Sequence, residues 1–196
     1  NPIIHSISKP FIMKHYFTFL QPKQNAIMPL FLGLLLFIVS LSANAQLGVF
    51  TFTGPGDCPH PNPTVSSQPL NATFSSFTNV NGECAGNDNV FEYKEWSEGS
   101  SLDLTNYNQF SITANSGFLL NLSSLSFEQF VSDDPQSGIT TWVLRSNIDN
   151  YASDIATGSV KTTSQTSLVS LPSSGFTNIG TVTFRFYVVN KKKKRE

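Results

Sequence analysis

Thr181-Val182-Thr183-Phe184-Arg185-Phe186-Tyr187-Val188 is the stretch from which the fold is read. Along an extended chain Val182, Phe184, Phe186 and Val188 fall on one side, and Thr181, Thr183, Arg185 and Tyr187 on the other. A period of two is the mark of a pleated strand with one buried face, whereas a helix repeats its apolar residues three and four apart. Working backward from this strand, comparable runs lie at 47–53, 73–80, 90–96, 109–114, 118–130, 140–145 and 167–171. The run 118–130 contains a bend, because Leu120 and Leu122 are out of phase with Leu125 and Phe127.

Turn formers separate these runs: Gly54-Pro55-Gly56-Asp57, Asn81-Gly82, Gly86-Asn87-Asp88-Asn89, Asn115-Ser116-Gly117, Asp133-Asp134-Pro135 and Pro172-Ser173-Ser174-Gly175. Short alternating strands punctuated in this way predict an all-β chain, an antiparallel β-sandwich, with one short helix at 150–155. No repeat and no interdomain linker divides the region 46–190, which reads as one domain.

The two ends read differently. Residue 1 is Asn, and a start at Met13 is expected, which makes 1–12 untranslated or disordered. From Met13 the chain shows Lys14, His15 and Lys23, an apolar run over 30–41, and then Ser42-Ala43-Asn44-Ala45. A basic region, a short apolar region and a small-x-small site are the parts of a helical secretory signal peptide, here 13–45. The apolar run is too short for a membrane span of roughly 17 to 25 residues, so no stable span is expected after cleavage. The expected location is secreted or at the cell surface. At the other end, 191–196 is a basic tail that follows the last strand without a linker and reads as a truncated or frame-shifted end, with a plain solvated tail or a basic surface patch as the alternatives.

Between 46 and 190 there are four basic residues, Lys94, Arg145, Lys161 and Arg185, against twelve acidic ones, a net of −8. Phosphate backbones select the opposite sign, so nucleic acid is excluded as a partner class. Cys58 and Cys84 are the two cysteines. In an exported chain an even number favours a disulfide, and only His60 lies nearby to suggest a metal instead.

The region 101–188 resembles a secreted β-sandwich module of exported Bacteroidetes proteins associated with type IX secretion. The resemblance rests on Phe110-Ser111-Ile112-Thr113-Ala114, Gly117 with 120–127, the element Trp142-Val143-Leu144-Arg145-Ser146-Asn147-Ile148-Asp149-Asn150-Tyr151, and the strand Val182-Thr183-Phe184-Arg185-Phe186-Tyr187. It implies a jelly-roll-like sandwich in a modular extracellular protein and carries no established activity. Members of the group continue into a Gly-rich turn and one more strand. Here the lysine run takes that place, so the sandwich is expected to lack its C-terminal strand.

Candidate sites are few. A catalytic triad would require His60 as its base, and no Gly-x-Ser-x-Gly elbow accompanies it. A carboxylate pair for sugar hydrolysis would come from Glu92, Glu95, Glu98, Glu128, Asp133 and Asp134, but Glu92 and Glu95 fall on opposite strand faces. Asp88, Asp133 and Asp134 offer oxygen ligands for a structural calcium, although Asn and Asp equally serve tight turns. Trp96, Trp142 and Tyr93 could form an aromatic platform for a glycan, or could shield the core; Tyr107 and Tyr151 are the other free-standing rings. Arg145 and Asp149 are expected to form an ion pair that pins a loop to the sheet. The sequence therefore predicts a non-catalytic extracellular structural or adhesive module, with carbohydrate binding, calcium-assisted or not, as the alternative. Extracellular glycans or cell-surface proteins are the partners expected.

Overall fold

A computed structural model describes residues 3–4, 47–59, 63–94, 96–98, 101–131 and 137–192 of the chain. The expected signal segment, His60, Glu95, Asp133, Asp134 and 193–196 lie outside the described residues. No helix among the described residues is long and apolar enough to cross a membrane.

The strands run β1 (Ile3–Ile4), β2 (Gly48–Phe50), β3 (Val65–Ser67), β4 (Ala72–Phe74), β5 (Thr78–Val80), β6 (Glu83–Cys84), β7 (Tyr93–Lys94), β8 (Ser97–Glu98), β9 (Tyr107–Ala114), β10 (Ser124–Gln129), β11 (Ser137–Ser146), β12 (Ala156–Val160), β13 (Gln165–Ser170) and β14 (Thr181–Lys192). One sheet has the order β13-β10-β1-β2-β3, and the other β12-β11-β14-β9-β4, with β5 also on β9. All pairs are antiparallel except β8 with β14. Between the two large sheets the chain crosses from β3 to β4, β9 to β10, β10 to β11, β12 to β13 and β13 to β14. The predicted all-β antiparallel sandwich is what forms.

The quoted strand is the centre of the larger sheet. β14 pairs with β11 from Ser146↔Phe184 to Ser137↔Lys192, and with β9 from Thr181↔Thr113 to Phe186↔Asn108. Val182 and Phe184 are 0% exposed and Phe186 is 8%. The two phenylalanine rings reach neighbours in both layers. Phe184 stacks on Phe176 with centroids 5.8 Å apart and sits 5.5 Å from Phe110. Phe110 meets Phe50 of the facing sheet at 5.3 Å, and Phe186 meets Phe127 edge-on at 5.0 Å. Ring edges against ring faces are the favoured geometry, so the phenylalanines tie the layers together as well as filling the space.

The predicted bend at 118–130 is present. Leu120 forms an isolated bridge with Ile179, the chain turns, and β10 begins at Ser124, so that Leu120, Leu122, Leu125 and Phe127 are all buried. Four expectations need correction. Ile3 and Ile4, in the segment expected to be untranslated or disordered, form β1 between β10 and β2. The run 73–80 is two strands, β4 and β5, both on β9. The helix expected at 150–155 is a single 3-10 turn at Asn147–Asp149, ended by Asn150 and Tyr151, whose φ values are 59° and 61°. A further strand, β12, follows it. Two successive left-handed residues cannot continue a right-handed helix.

The second face of β14 also departs from simple alternation. Tyr187 is only 1% exposed and packs edge-on against Tyr107, with centroids 5.6 Å apart. That face is covered over part of its length. Replacing Phe184 with Ala is expected to lower unfolding free energy by about 3–5 kcal/mol, the range for deleting a buried aromatic ring. Leu168→Ala, at a site 57% exposed, should change it by less than about 0.5 kcal/mol. Urea unfolding midpoints of the two variants check both.

Candidate binding cleft

At the end of the sandwich where β10 and β12 finish, the sheets do not close on each other. A cavity of about 860 Å³ lies there. One wall is Phe127, Gln129 and Phe130, and the other is Trp142, Val160, Phe186 and Val188. The mouth is lined by 89–94 and Trp96, with Phe91, Glu92, Tyr93 and Lys94 from the first.

That covering segment is held from several sides. Phe91 inserts its ring among Phe77 and Phe52, at 5.2 and 5.7 Å, which anchors the segment in the core. β7 pairs with β6 through Glu83↔Lys94 and Cys84↔Tyr93. Cys84 is joined to Cys58 by the predicted disulfide. Around it the 54–56 segment is stitched to the 87–89 turn. Gly56 N–H donates to Asp88 Oδ1 at 2.6 Å, Gly54 N–H to Asn89 Oδ1 at 3.2 Å, and Asn89 N–H to the Gly54 carbonyl at 2.9 Å. Asp88 is therefore a turn residue that accepts from backbone. Among the described residues no group of three or more His, Cys, Asp or Glu is placed to hold a metal ion, and the other two calcium candidates, Asp133 and Asp134, lie outside them.

The structure separates the three expected platform rings. Trp96 and Tyr93 are half-buried together at the mouth, with Trp96 Nε1–H donating to the Tyr93 carbonyl at 2.7 Å. Partial burial raises the Tyr93 phenol above its usual pKa. Trp142 is not a platform ring: it is 6% exposed, meets Phe127 edge-on at 5.0 Å, and lies against Gly158 across the β11–β12 pair. A Cβ at Gly158 would come within 2.6 Å of the indole, so only glycine leaves the ring its place. Asn108 and Val160 join the cleft without any sequence signal that they would meet there. Gln129 shares the inward phase of Leu125 and Phe127, and a polar residue at an inward position was the one available hint.

Glu92 and Glu128 line the same cavity. Each already accepts a hydrogen bond from a neutral side chain, Asn87 Nδ2–H for Glu92 and Ser164 Oγ–H for Glu128.

The expected Arg145–Asp149 pair forms differently. Arg145 Nε–H donates to Asp154 Oδ1 at 2.6 Å, and its Nη1–H to the Tyr151 carbonyl at 2.9 Å. Asp149 instead accepts from the backbone N–H groups of Ala152 and Ser153, at 3.2 and 2.9 Å. The left-handed pair Asn150–Tyr151 turns the chain back, which brings Asp154 to the guanidinium and leaves Asp149 facing its own turn. Beside them Arg185 lies between two rings, 4.0 Å from the Tyr107 centroid and 3.8 Å from that of Tyr151. Stacked cations of this kind are worth about 0.5–2 kcal/mol.

Two predictions follow from these contacts. Reducing the disulfide, or replacing Cys58 and Cys84 with Ser, should lower stability by about 3 kcal/mol on the chain-entropy estimate and alter tryptophan emission, since Trp96 rides on the strapped segment. Equilibrium unfolding with and without dithiothreitol tests this. Desolvation raises the Asp149 pKa, but hydrogen bonds from Ser153 and Ala152 outweigh it and the net shift is downward. A depressed carboxyl stabilises the fold above its unfolded pKa of about 3.9, and this contribution disappears as pH falls through the folded value. Asp149→Ala should thus be destabilised near neutral pH, and the gap from the parent should close on acidification, as thermal melts across pH would record.

No protein-family model, curated protein or solved structure matches this chain.

Proposed function

We propose that the chain is a non-catalytic extracellular module, structural or adhesive in role, of an exported bacterial protein, and that the strapped cleft is its contact site. The observation that carries this is the placement of Trp96 and Tyr93 at the mouth of a cavity between two sheets, on a segment clamped by the disulfide. A rigid aromatic mouth on a sheet scaffold suits binding, because little is lost in ordering it. The Cys58–Cys84 bond is compatible with an oxidising compartment. The resemblance to secreted sandwich modules supports the same reading.

Carbohydrate binding is the second reading, favoured by the neighbours of Trp96. Asn108 and Lys94 line the same cavity and could hydrogen-bond hydroxyls of a sugar whose apolar face lies on the indole. A glycan array followed by calorimetry, with and without Ca²⁺, tests it. A glycan ligand is expected to bind at least about tenfold more weakly to Trp96→Ala, a loss of about 1.4 kcal/mol. Unchanged binding by that variant removes the glycan reading, and turnover of any arrayed glycan removes the non-catalytic one.

A further inference from the structure

We propose that the end of the sandwich opposite the cleft docks on a neutral, zwitterionic lipid surface through apolar side chains at the tips of two adjoining turns. The inference concerns a different part of the molecule from the cleft and does not depend on what the cleft binds.

β9 and β14 run between the two ends. Asn108 and Val188 line the cavity, and Ala114 and Thr181 lie at the far extremity. Two turns meet there. Asn115 Nδ2–H donates to the Leu70 carbonyl at 2.7 Å, and Asn115 N–H to the Asn71 carbonyl at 3.0 Å. Thr73 Oγ1–H donates to Asn115 Oδ1 at 2.8 Å, which fixes the amide. Phe118 N–H closes the second turn on the Asn115 carbonyl at 3.0 Å, and just beyond it Leu120 bridges to Ile179. The backbone of both turns is thus held, while their apolar side chains stand in solvent. Leu70 is 100% exposed, Leu119 58% and Phe118 53%. A single exposed leucine is ordinary. Three large apolar side chains on two turns bonded to each other make an apolar tip, and exposed apolar surface of that kind marks contact with a partner or a membrane.

Composition selects lipid over protein. Protein contacts draw their energy from Trp, Tyr and Arg, and Leu, Ser and Thr are under-represented among such anchors. The turns 68–72 and 115–119 contain no Trp, Tyr or Arg. Leu and Phe are the side chains that enter the boundary between headgroups and acyl chains, where no directional partner is needed. Charge selects the kind of lipid. The two turns and the neighbouring 171–181 segment lie within the stretches 58–82, 104–127 and 162–184, none of which contains Asp, Glu, Lys or Arg. No cation is therefore supplied here for anionic headgroups. The domain 46–190 has four basic residues against twelve acidic ones, a net of −8. Asp149 stands in the loop that borders this end, where Thr183 N–H donates to Asn147 Oδ1 at 2.8 Å. An anionic leaflet would repel both the domain and this loop, and a zwitterionic one does not.

The test needs a readout local to the tip, because the apolar run 30–41 of the full-length chain can attach to vesicles by itself. Ser116→Cys, exposed in the second turn, and Thr163→Cys, exposed between β12 and β13, each place one free thiol beside the closed Cys58–Cys84 bond. Each is labelled with a nitrobenzoxadiazole dye and titrated with phosphatidylcholine vesicles. The dye at 116 should brighten saturably and the dye at 163 should not. Vesicles containing half phosphatidylglycerol should act at least threefold more weakly. Leu70→Ser, Phe118→Ser and Leu119→Ser together should weaken the response at 116 at least tenfold. Leu70→Ser alone should weaken it at least threefold, which keeps the test valid if the triple variant does not fold. No response at 116, equal brightening at both positions, or a response undiminished in the variants overturns the inference. An equal or stronger response to the phosphatidylglycerol vesicles overturns it as well. So does brightening at 116 that rises with protein concentration in the absence of vesicles, which would put a second copy of the chain on this end.

Discussion

Three side chains of one strand, Val182, Phe184 and Phe186, are what the two sheets close upon. They occupy the inner face of β14, which β11 pairs along most of its length on one side and β9 pairs from Thr181 to Phe186 on the other. Burying a large apolar side chain contributes about 1.5–3 kcal/mol, and here three such chains lie in a row. Because the facing layer offers Phe50 and Phe127 to the same surface, the sheets meet through ring contacts. Any shift of β14 by one residue would exchange Val182, Phe184 and Phe186 for Thr183, Arg185 and Tyr187. Register is therefore set strongly, and with it the positions of every loop at the two ends.

That strand also organises the opposite face. Arg185 points away from the core and is held between Tyr107 and Tyr151, while Arg145, directly across in register, turns to Asp154. Two guanidinium groups opposite each other on paired strands repel. Their nearest partners differ: Arg185 has two ring faces and donates to Gln109 Oε1, and Arg145 has a carboxylate and a carbonyl, with the Tyr187 ring 6.0 Å away. Both arrangements hold the 147–154 loop onto the sheet, so the scarce cations of an acidic domain serve as fasteners.

The cleft is a consequence of building with rigid rings. Phenylalanine and tryptophan pack well in the middle of the sandwich, where both layers supply neighbours. Toward the end of β10 the layers diverge, and rings already braced edge to face cannot swing to close the gap. The disulfide-strapped segment covers this gap without filling it, because Phe91 is committed to the core beside Phe77 and Phe52. What reaches the mouth is then Tyr93 and Trp96.

Much of the architecture was legible in the order of residues alone. Period-two alternation is a local property of the chain, and it located β14, β9 and the bend before β10; an even cysteine count anticipated the Cys58–Cys84 bond. The weak edge strands β3 and β12 escaped notice, since Val65–Ser67 and Ala156–Val160 carry few large apolar side chains and are strands by virtue of their neighbours. The site was mostly illegible. Trp96 and Trp142 look alike in sequence, and only the pairing of Trp142 with Gly158, in a different part of the chain, sends one indole into the core and leaves the other at a mouth. In the same way Asp149 and Asp154 are equivalent candidates for Arg145 until two left-handed residues turn the backbone between them. Local alternation determines which side chains seek the interior, but long-range register and backbone reversal decide which of them meet, and a cleft consists only of such meetings.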